Sequence, residues 1–287
     1  MINVRNVSFA YDKQLILEDF SLREQDPVIT GLWGRNGSGK TTLMKILSGQ
    51  NKADSGNVEV LGREPYNNIE ATRKICYMQE NHPFPPTWTF KDAMRFGKYF
   101  NENWDQETAE QLKELFRLPE KKNLKKFSKG MKSAVQIIIG MASFADVTIL
   151  DEPTNGLDAG IRKKFYRALL ESYEKKPRLI LLSSHHIEEI QPYCESLVVI
   201  HEKQVLLHEP MEDLREKGVW ITGEKSKVES FILGKKIMEQ NMLGQYLRVM
   251  VDLPYTKKWK QSAHECGVSM EKADLQDYLL NLTGGGA

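Results

Sequence analysis

Cysteine is scarce in these 287 residues: Cys76, Cys194 and Cys266 are odd in number and far apart. They form neither a metal-ligand spacing nor a disulfide framework, which fits a reducing compartment. Long apolar runs are missing too. No stretch approaches the roughly 18 consecutive apolar residues that a membrane-spanning helix needs, and even Val135 to Ala145 is short and carries Gln136. The opening residues, Met1-Ile2-Asn3-Val4-Arg5, turn polar at once and lack the apolar centre of a secretory signal. Nor is there an excess of one charge. With 40 Lys and Arg against 39 Asp and Glu, the net charge is +1, so no global field draws the chain to nucleic acid or anionic lipid. The one conspicuous basic run, Lys121-Lys122-Asn123-Leu124-Lys125-Lys126, reads as a solvated loop or helix face. These absences predict a cytoplasmic protein of one large or two smaller domains, reaching a membrane only through a partner.

What is present is an ordinary globular composition, 40% hydrophobic and 28% charged, enough for a sizeable core. Val28-Ile29-Thr30-Gly31-Leu32-Trp33 reads as a buried strand, and a helix is expected from about Lys40 to Leu47. From about 83 to 144, after Pro83, Pro85 and Pro86, helical spacing dominates, as in Leu112, Leu115 and Phe116. Strand signals return at Val147 to Leu150 and Leu179 to Ser183, continuous apolar runs that suit parallel strands covered on both faces. The pattern is α/β with a helical insertion. After about Pro210 the texture changes. Leu247, Val249, Val251 and Leu253 alternate as a strand, while Val228 to Ile232, Tyr255 to Ala263 and Leu275 to Leu282 carry helical stripes. Residues 1–210 therefore read as one domain with a helical subdomain at about 83–144, and 211–287 as a small α+β domain.

Gly34-Arg35-Asn36-Gly37-Ser38-Gly39-Lys40-Thr41 matches the phosphate-loop pattern G-x-x-x-x-G-K-[ST] in full, between a predicted strand and a predicted helix. Glycines let backbone N–H groups turn inward around a polyphosphate. Lys40 places a point charge on the β- and γ-phosphates, the Thr41 hydroxyl can ligand Mg²⁺, and the helix opening through Thr42 directs its dipole at the same anion. The pattern predicts ATP and Mg²⁺ as ligands.

Val147-Thr148-Ile149-Leu150-Asp151-Glu152 ends a buried strand on two adjacent carboxylates. Asp151 is placed to hold the metal. Glu152, expected to point the other way in the pleat, is the candidate general base for an attacking water. His185 follows the next buried strand, at the carboxyl edge where open parallel sheets bind ligands, and is preferred to His186, which opens a helical segment.

These motifs, in this order, resemble the ATPase subunits of ABC transporters over roughly residues 1 to 210. Asp151-Glu152-Pro153-Thr154 followed by Asn155-Gly156-Leu157-Asp158 resembles that family's metal-binding strand and the loop after it. Phe127-Ser128-Lys129-Gly130-Met131 occupies the place of its signature, usually Leu-Ser-Gly-Gly-Gln, and Ser183-Ser184-His185 is similar to its histidine switch. The resemblance implies that Ser128, Lys129 and Gly130 reach the ATP of a partner and that Tyr11 stacks on adenine, although Tyr11 also reads as a core strand residue beside Phe9. It implies that Glu80, at the place of the family's usual glutamine, or Gln79, one place early, serves in the loop that senses the membrane subunit and can ligand Mg²⁺ or a water. It further implies a head-to-tail dimer of two identical or related ATPase chains, a separate transmembrane permease and a peripheral place on the inner face of the cell membrane. Nucleic acid is not expected as a partner. The Ser-Lys-Gly-Met form resembles exporter-type subunits, antibiotic-resistance and YtrB-like proteins among them. Two competing readings remain: a soluble ABC-type ATPase acting on ribosomes or DNA, and a low-turnover nucleotide sensor. One phosphate loop, no sustained heptads and near-neutral charge weigh against the first, and the presence of both Glu152 and His185 against the second.

Overall fold

The computed structural model describes residues 1–79, 84–85 and 87–284. The chain divides into two compact units, residues 1–185 with 190–208, and residues 186–189 with 209–287.

The first unit begins with two long antiparallel strands, β1 (Ile2–Tyr11) and β2 (Gln14–Glu24), rather than the short ones their sequence suggests. Register shifts after Val4, Val7 and Phe9 break the simple alternation, which is why the sequence pattern looks fragmented. β3 (Val28–Trp33) and helix α1 (Lys40–Leu47) follow, then β4 (Ser55–Val60), a single turn α2 (Ile69–Thr72) and β5 (Ile75–Met78). β1, β2 and β4 make a three-stranded sheet in the order β2-β1-β4.

Among the described residues, three α-helices supply the helical region: α3 (Phe90–Phe100), α4 (Gln106–Phe116) and α5 (Lys129–Ala142). Each starts on a side-chain cap. Thr89 forms a capping box with Asp92, Asp105 accepts from Thr108 N–H, and Ser128 accepts from Met131 N–H. The chain then returns to strands as β6 (Val147–Leu150), α6 (Ala159–Lys175), β7 (Leu179–Ser184), a turn α7 (Ile187–Ile190), β8 (Ser196–His201) and β9 (Gln204–Pro210).

A six-stranded sheet in the order β5-β6-β7-β3-β8-β9 is the centre of this unit, and the pairings from β5 through β8 are parallel. β6 and β7 are buried at every residue, as their unbroken apolar sequences require. Leu32, Val147, Ile149, Leu179 and Val198 of this sheet share one core with Val4, Leu17 and Phe20 of the small sheet and Leu43 of α1. Because β5, β6, β7 and β3 are parallel neighbours, their carboxyl ends leave the sheet along one edge.

In the second unit, α8 (Met211–Arg215) precedes a four-stranded antiparallel sheet in the order β11-β12-β10-β13. Its elements are β10 (Lys217–Glu224), α9 (Lys225–Phe231), β11 (Ile237–Leu243), β12 (Tyr246–Pro254), α10 (Lys257–Glu265), β13 (Ser269–Lys272) and α11 (Leu275–Leu282). Val219, Ile221, Val249 and Val251 pack with Val228 and Ala263 into its own core, giving the expected small α+β fold. α10 starts one turn later than Pro254 suggests, because the Thr256 hydroxyl caps it by accepting from Trp259 N–H at 3.3 Å.

Candidate nucleotide site

The loop from β3 to α1 is shaped by its glycines. Gly39 sits at φ +102° as the residue before α1, a left-handed conformation that glycine adopts without steric cost. It makes no side-chain cap, so the first N–H groups of α1 are left for an anion. A Cβ on Gly34 would lie 2.6 Å from Ser38 Oγ and 2.7 Å from the Ile200 carbonyl oxygen, so only glycine permits this close approach. Arg35, Asn36 and Gly37 form the exposed rim, closed by Ser38 N–H donating to the Arg35 carbonyl at 3.1 Å.

Two features of this loop fit a bound phosphate. Ser38 Oγ is buried and makes no hydrogen bond, a state that ordinarily marks a ligand position. The Lys40 ammonium, 7% exposed, donates to the Gly34 carbonyl at 2.6 Å and the Arg35 carbonyl at 3.4 Å, filling the cradle with the loop's own cation. Burial pulls the Lys40 pKa below the ordinary lysine value, against the opposing pull of Glu152 and Asp151. Glu152 Oε1 lies 3.9 Å from Lys40 Nζ.

The acidic pair leaves β6 directly. Asp151, 2% exposed, accepts from Thr41 Oγ1 at 2.8 Å on one oxygen and from Ser183 Oγ at 2.8 Å on the other. Tyr77 OH also donates to it at 3.4 Å. Burial, together with the Asp151 charge and this hydrogen bond, pushes the Tyr77 pKa well up, which keeps the phenol a donor. Thr41 and Asp151 offer an all-oxygen donor set suited to a hard cation that keeps several of its waters. Among the described residues no group of three or more His, Cys, Asp or Glu could hold a metal, so a cation here needs phosphate oxygens and water to complete its shell.

Glu152 differs from the sequence expectation. It does not continue the pleat: it adopts φ +46°, outside β6, and its N–H donates to Ser183 Oγ at 2.9 Å. This turn aims the carboxylate at His185, whose Nδ1 lies 3.0 Å from Glu152 Oε2. His185 is itself positioned by Trp33 Nε1, which donates to its carbonyl at 3.3 Å.

The phosphate loop, Asp151, Glu152 and His185 are thus gathered at the carboxyl ends of adjacent strands, and Gln79, half-buried, follows β5 on the same edge. Glu80 lies outside the described residues. Tyr11 ends β1 with its ring 43% exposed, edge-on to Phe9 at 4.9 Å, and accepts a hydrogen bond from Asn51 Nδ2 at 3.0 Å. Thr42 is buried in the first turn of α1. Ser128, Lys129 and Gly130 open α5, and a Cβ on Gly130 would lie 2.7 Å from the Gly156 carbonyl oxygen. Ser133 of the same helix donates to the Asn155 carbonyl at 3.2 Å. The signature segment is therefore seated on the loop that leaves Glu152.

Sequence reasoning missed Ser183 and Tyr77 as the groups that hold Asp151. Both had a faint signal, a hydroxyl one place before the end of a largely apolar strand: Tyr77 in Ile75-Cys76-Tyr77-Met78 and Ser183 in Leu179 to Ser184.

A parallel sheet that delivers such a loop into an uncapped helix, with an acidic pair on a neighbouring strand tip, defines the class of P-loop nucleotide-binding proteins. Comparison with known proteins narrows the class. The family model described as ABC transporter matches residues 17–155. The lantibiotic transport ATP-binding protein SrtF of Streptococcus pyogenes is 30% identical over 230 residues, 75% of this chain and 95% of that protein. The bacitracin transport ATP-binding protein BcrA of Bacillus licheniformis is 28% identical over 304 residues, covering 100% of this chain and 98% of that one. A solved structure of an ATP-binding subunit of an ABC transporter superposes with a TM-score of 0.67 at 26% identity, covering 75% of this chain and 92% of its own. The chain belongs to the ATP-binding subunits of ABC transporters. No helix among the described residues is long and apolar enough to cross a membrane.

Proposed function

We propose that this subunit hydrolyses ATP as one half of a head-to-tail dimer and so drives a separate transmembrane permease, in the direction of export. The single observation that carries hydrolysis is the 3.0 Å contact between Glu152 and His185, set beside the bond from Thr41 to the buried Asp151. In this reading Lys40 Nζ leaves the Gly34 and Arg35 carbonyls for the β- and γ-phosphates, and the loop N–H groups and Ser38 Oγ take the same oxygens. Thr41 and Asp151, with Gln79 beside them, would hold Mg²⁺, whose charge would offset the negative charge of the phosphates during transfer. Glu152 accepts the proton of the attacking water on its carboxylate, and His185 orients that carboxylate. Tyr11 stacks on the adenine.

Each chain holds half of two sites. Ser128 Oγ and the Lys129 and Gly130 N–H groups, at the start of α5, serve the nucleotide bound by the second ATPase chain, identical or related. Their seat on the Asn155–Gly156 turn supports coupling between that contact and Glu152. Between α2, β5 and α3 lies a groove of about 750 Å³, lined among others by Arg73, Tyr77, Met78, Phe96 and Tyr99, which suits a cytosolic helix of the permease. This partner would hold the chain on the inner face of the cell membrane. Export is supported by the Ser-Lys-Gly-Met form and by relatives named for lantibiotic and bacitracin transport. Residues 211–287 we assign to dimerisation or regulation; the match to BcrA, running over the whole chain, supports a shared role for them.

Steady-state ATPase rates of Glu152→Gln test the reading. Removing a positioned general base should lower turnover by about 10²–10⁴ while ATP still binds. Turnover near that of the unaltered chain would remove Glu152 from this role.

A further inference from the structure

The basic run at 121–126 reads in the sequence as a solvated loop, but the fold gives it neighbours. Leu124 N–H donates to the Trp88 carbonyl at 2.8 Å, Asn123 bridges Thr89, and Lys91 N–H donates to the Glu120 carbonyl at 3.4 Å. The loop is thereby tied to the start of α3. Lys121, Lys122, Lys125 and Lys126 are all exposed.

α3 carries two stripes on its outer surface. Lys91, Arg95 and Lys98, at i, i+4 and i+7, are exposed along one side. Beside them runs a chain of aromatic rings: Trp88 to Phe96 at 5.3 Å, Phe96 to Phe100 at 4.5 Å and Phe100 to Tyr99 at 5.0 Å. Tyr99 is 83% and Phe100 58% exposed, unusual for large rings on a helix whose opposite face, Phe90, Ala93 and Gly97, is already buried. The nearest carboxylates are already engaged. Asp92 is held by Thr89 N–H at 2.9 Å, and Glu110 and Glu120 converge on Lys113. Asp92 and Glu120 offset part of the charge of Lys91, Arg95 and Lys121, but the exposed cations Lys91, Arg95, Lys98, Lys121, Lys122, Lys125 and Lys126 outnumber them around the strip of rings.

We propose that this surface rests on the anionic headgroups of the membrane. Aromatic rings settle at the headgroup level, and clustered Lys and Arg are drawn to the negative surface of the cytoplasmic leaflet. A permease loop is a poorer match for the cations, because cytosolic loops of membrane proteins are themselves rich in Lys and Arg. The orientation rests on the permease reading above. Phe96, Tyr99 and Phe100 also border the groove assigned to the permease helix, so the face that grips it is the face turned to the bilayer. The net charge of +1 does not oppose this, because the attraction is local and acts within a Debye length, about 8 Å at physiological salt.

The test is co-flotation of the full chain with phosphatidylcholine vesicles, with and without phosphatidylglycerol, free of any permease. The chain should float with the anionic vesicles at low salt and be released at high salt or from phosphatidylcholine alone. Lys121, Lys122, Lys125 and Lys126 changed together to Glu should lower the binding by at least about 100-fold, since each lysine near the surface contributes about fivefold. The same charge change at Lys225, Lys227, Lys257 and Lys258, which belong to the second unit and not to this surface, should leave it within about threefold. Tyr99→Ala should weaken binding without altering its dependence on salt. No flotation with anionic vesicles, equal loss in the two lysine variants, or binding confined to vesicles carrying the permease would overturn the proposal. ATP binding and ATP-driven dimer formation, followed in the same variants, report on the ATPase reading separately.

Discussion

Ser183→Ala removes one oxygen from the wholly buried end of β7, and the structure says what that oxygen does. Its hydroxyl donates to Asp151 at 2.8 Å and accepts from the Glu152 N–H at 2.9 Å. The first bond involves a carboxylate and is worth about 1.5–3 kcal/mol, the second about 1 kcal/mol, and no water replaces them at a residue with 0% exposure. The second bond also holds Glu152 at φ +46°, a conformation costing on the order of 1 kcal/mol for a non-glycine residue. The expected destabilisation is about 3 kcal/mol. For a unit of this size that corresponds to a fall of roughly 6–12 °C in its melting temperature. Turnover should fall further than stability alone accounts for, because a displacement of about 1 Å at a reacting group costs about 10²-fold. Thermal melts and steady-state ATPase assays at saturating ATP measure both. A melting temperature within about 1 °C of the unaltered chain, with turnover within about twofold, would refute the assignment of Ser183 as the clamp of the acidic pair.

Further expectations follow from single contacts. Gly130→Ala places a methyl 2.7 Å from the Gly156 carbonyl oxygen; the overpacking should cost about 1–3 kcal/mol in urea melts, and it should slow ATP hydrolysis. Arg178 is 1% exposed and donates to the neutral acceptors Thr148, Ser172 and Lys176, and burial draws its pKa down to about 10. Arg178→Ala should therefore destabilise by about 3–5 kcal/mol, through a cavity and stranded acceptors, and a melt unchanged within about 1 kcal/mol would contradict that. Burial raises the Glu24 carboxyl, but hydrogen bonds from His208 and Thr30 and the His208 charge outweigh it and bring its pKa below the ordinary 4.5. Its folded pKa being depressed, Glu24 contributes stability that is fully present above about pH 4.5 and is lost as pH falls through the folded value. Glu24→Gln should flatten the acid limb of a stability-against-pH curve, and an unchanged limb would show that the carboxylate contributes nothing there.

What could be read from the sequence was what depends on neighbours along the chain. The phosphate loop is a contiguous pattern, and the predicted helix Lys40 to Leu47 coincides with α1 because a strand, glycines and an apolar stripe all mark it. β6 and β7 were legible because strands covered on both faces need unbroken apolar runs. β10 was not: Gly218, Thr222 and Gly223 interrupt its alternation, and it is a strand through its pairing with β12 and β13. The left-handed turn at Glu152 was hidden for the same reason. It depends on Ser183, thirty-one residues away, brought opposite by the β6–β7 register of Leu150 against Leu182. The surface of α3 was missed because the basic loop and the aromatic strip, some thirty residues apart in sequence, are brought together by backbone contacts of Leu124 with Trp88, Asn123 with Thr89 and Glu120 with Lys91.

The central claim, that two chains close on ATP before Glu152 acts, is tested most directly by size-exclusion chromatography of Glu152→Gln with and without ATP and Mg²⁺. The account predicts a monomer without nucleotide and a dimer with it. A chain that binds ATP yet stays monomeric at every concentration would contradict a sandwich made by two copies of this subunit.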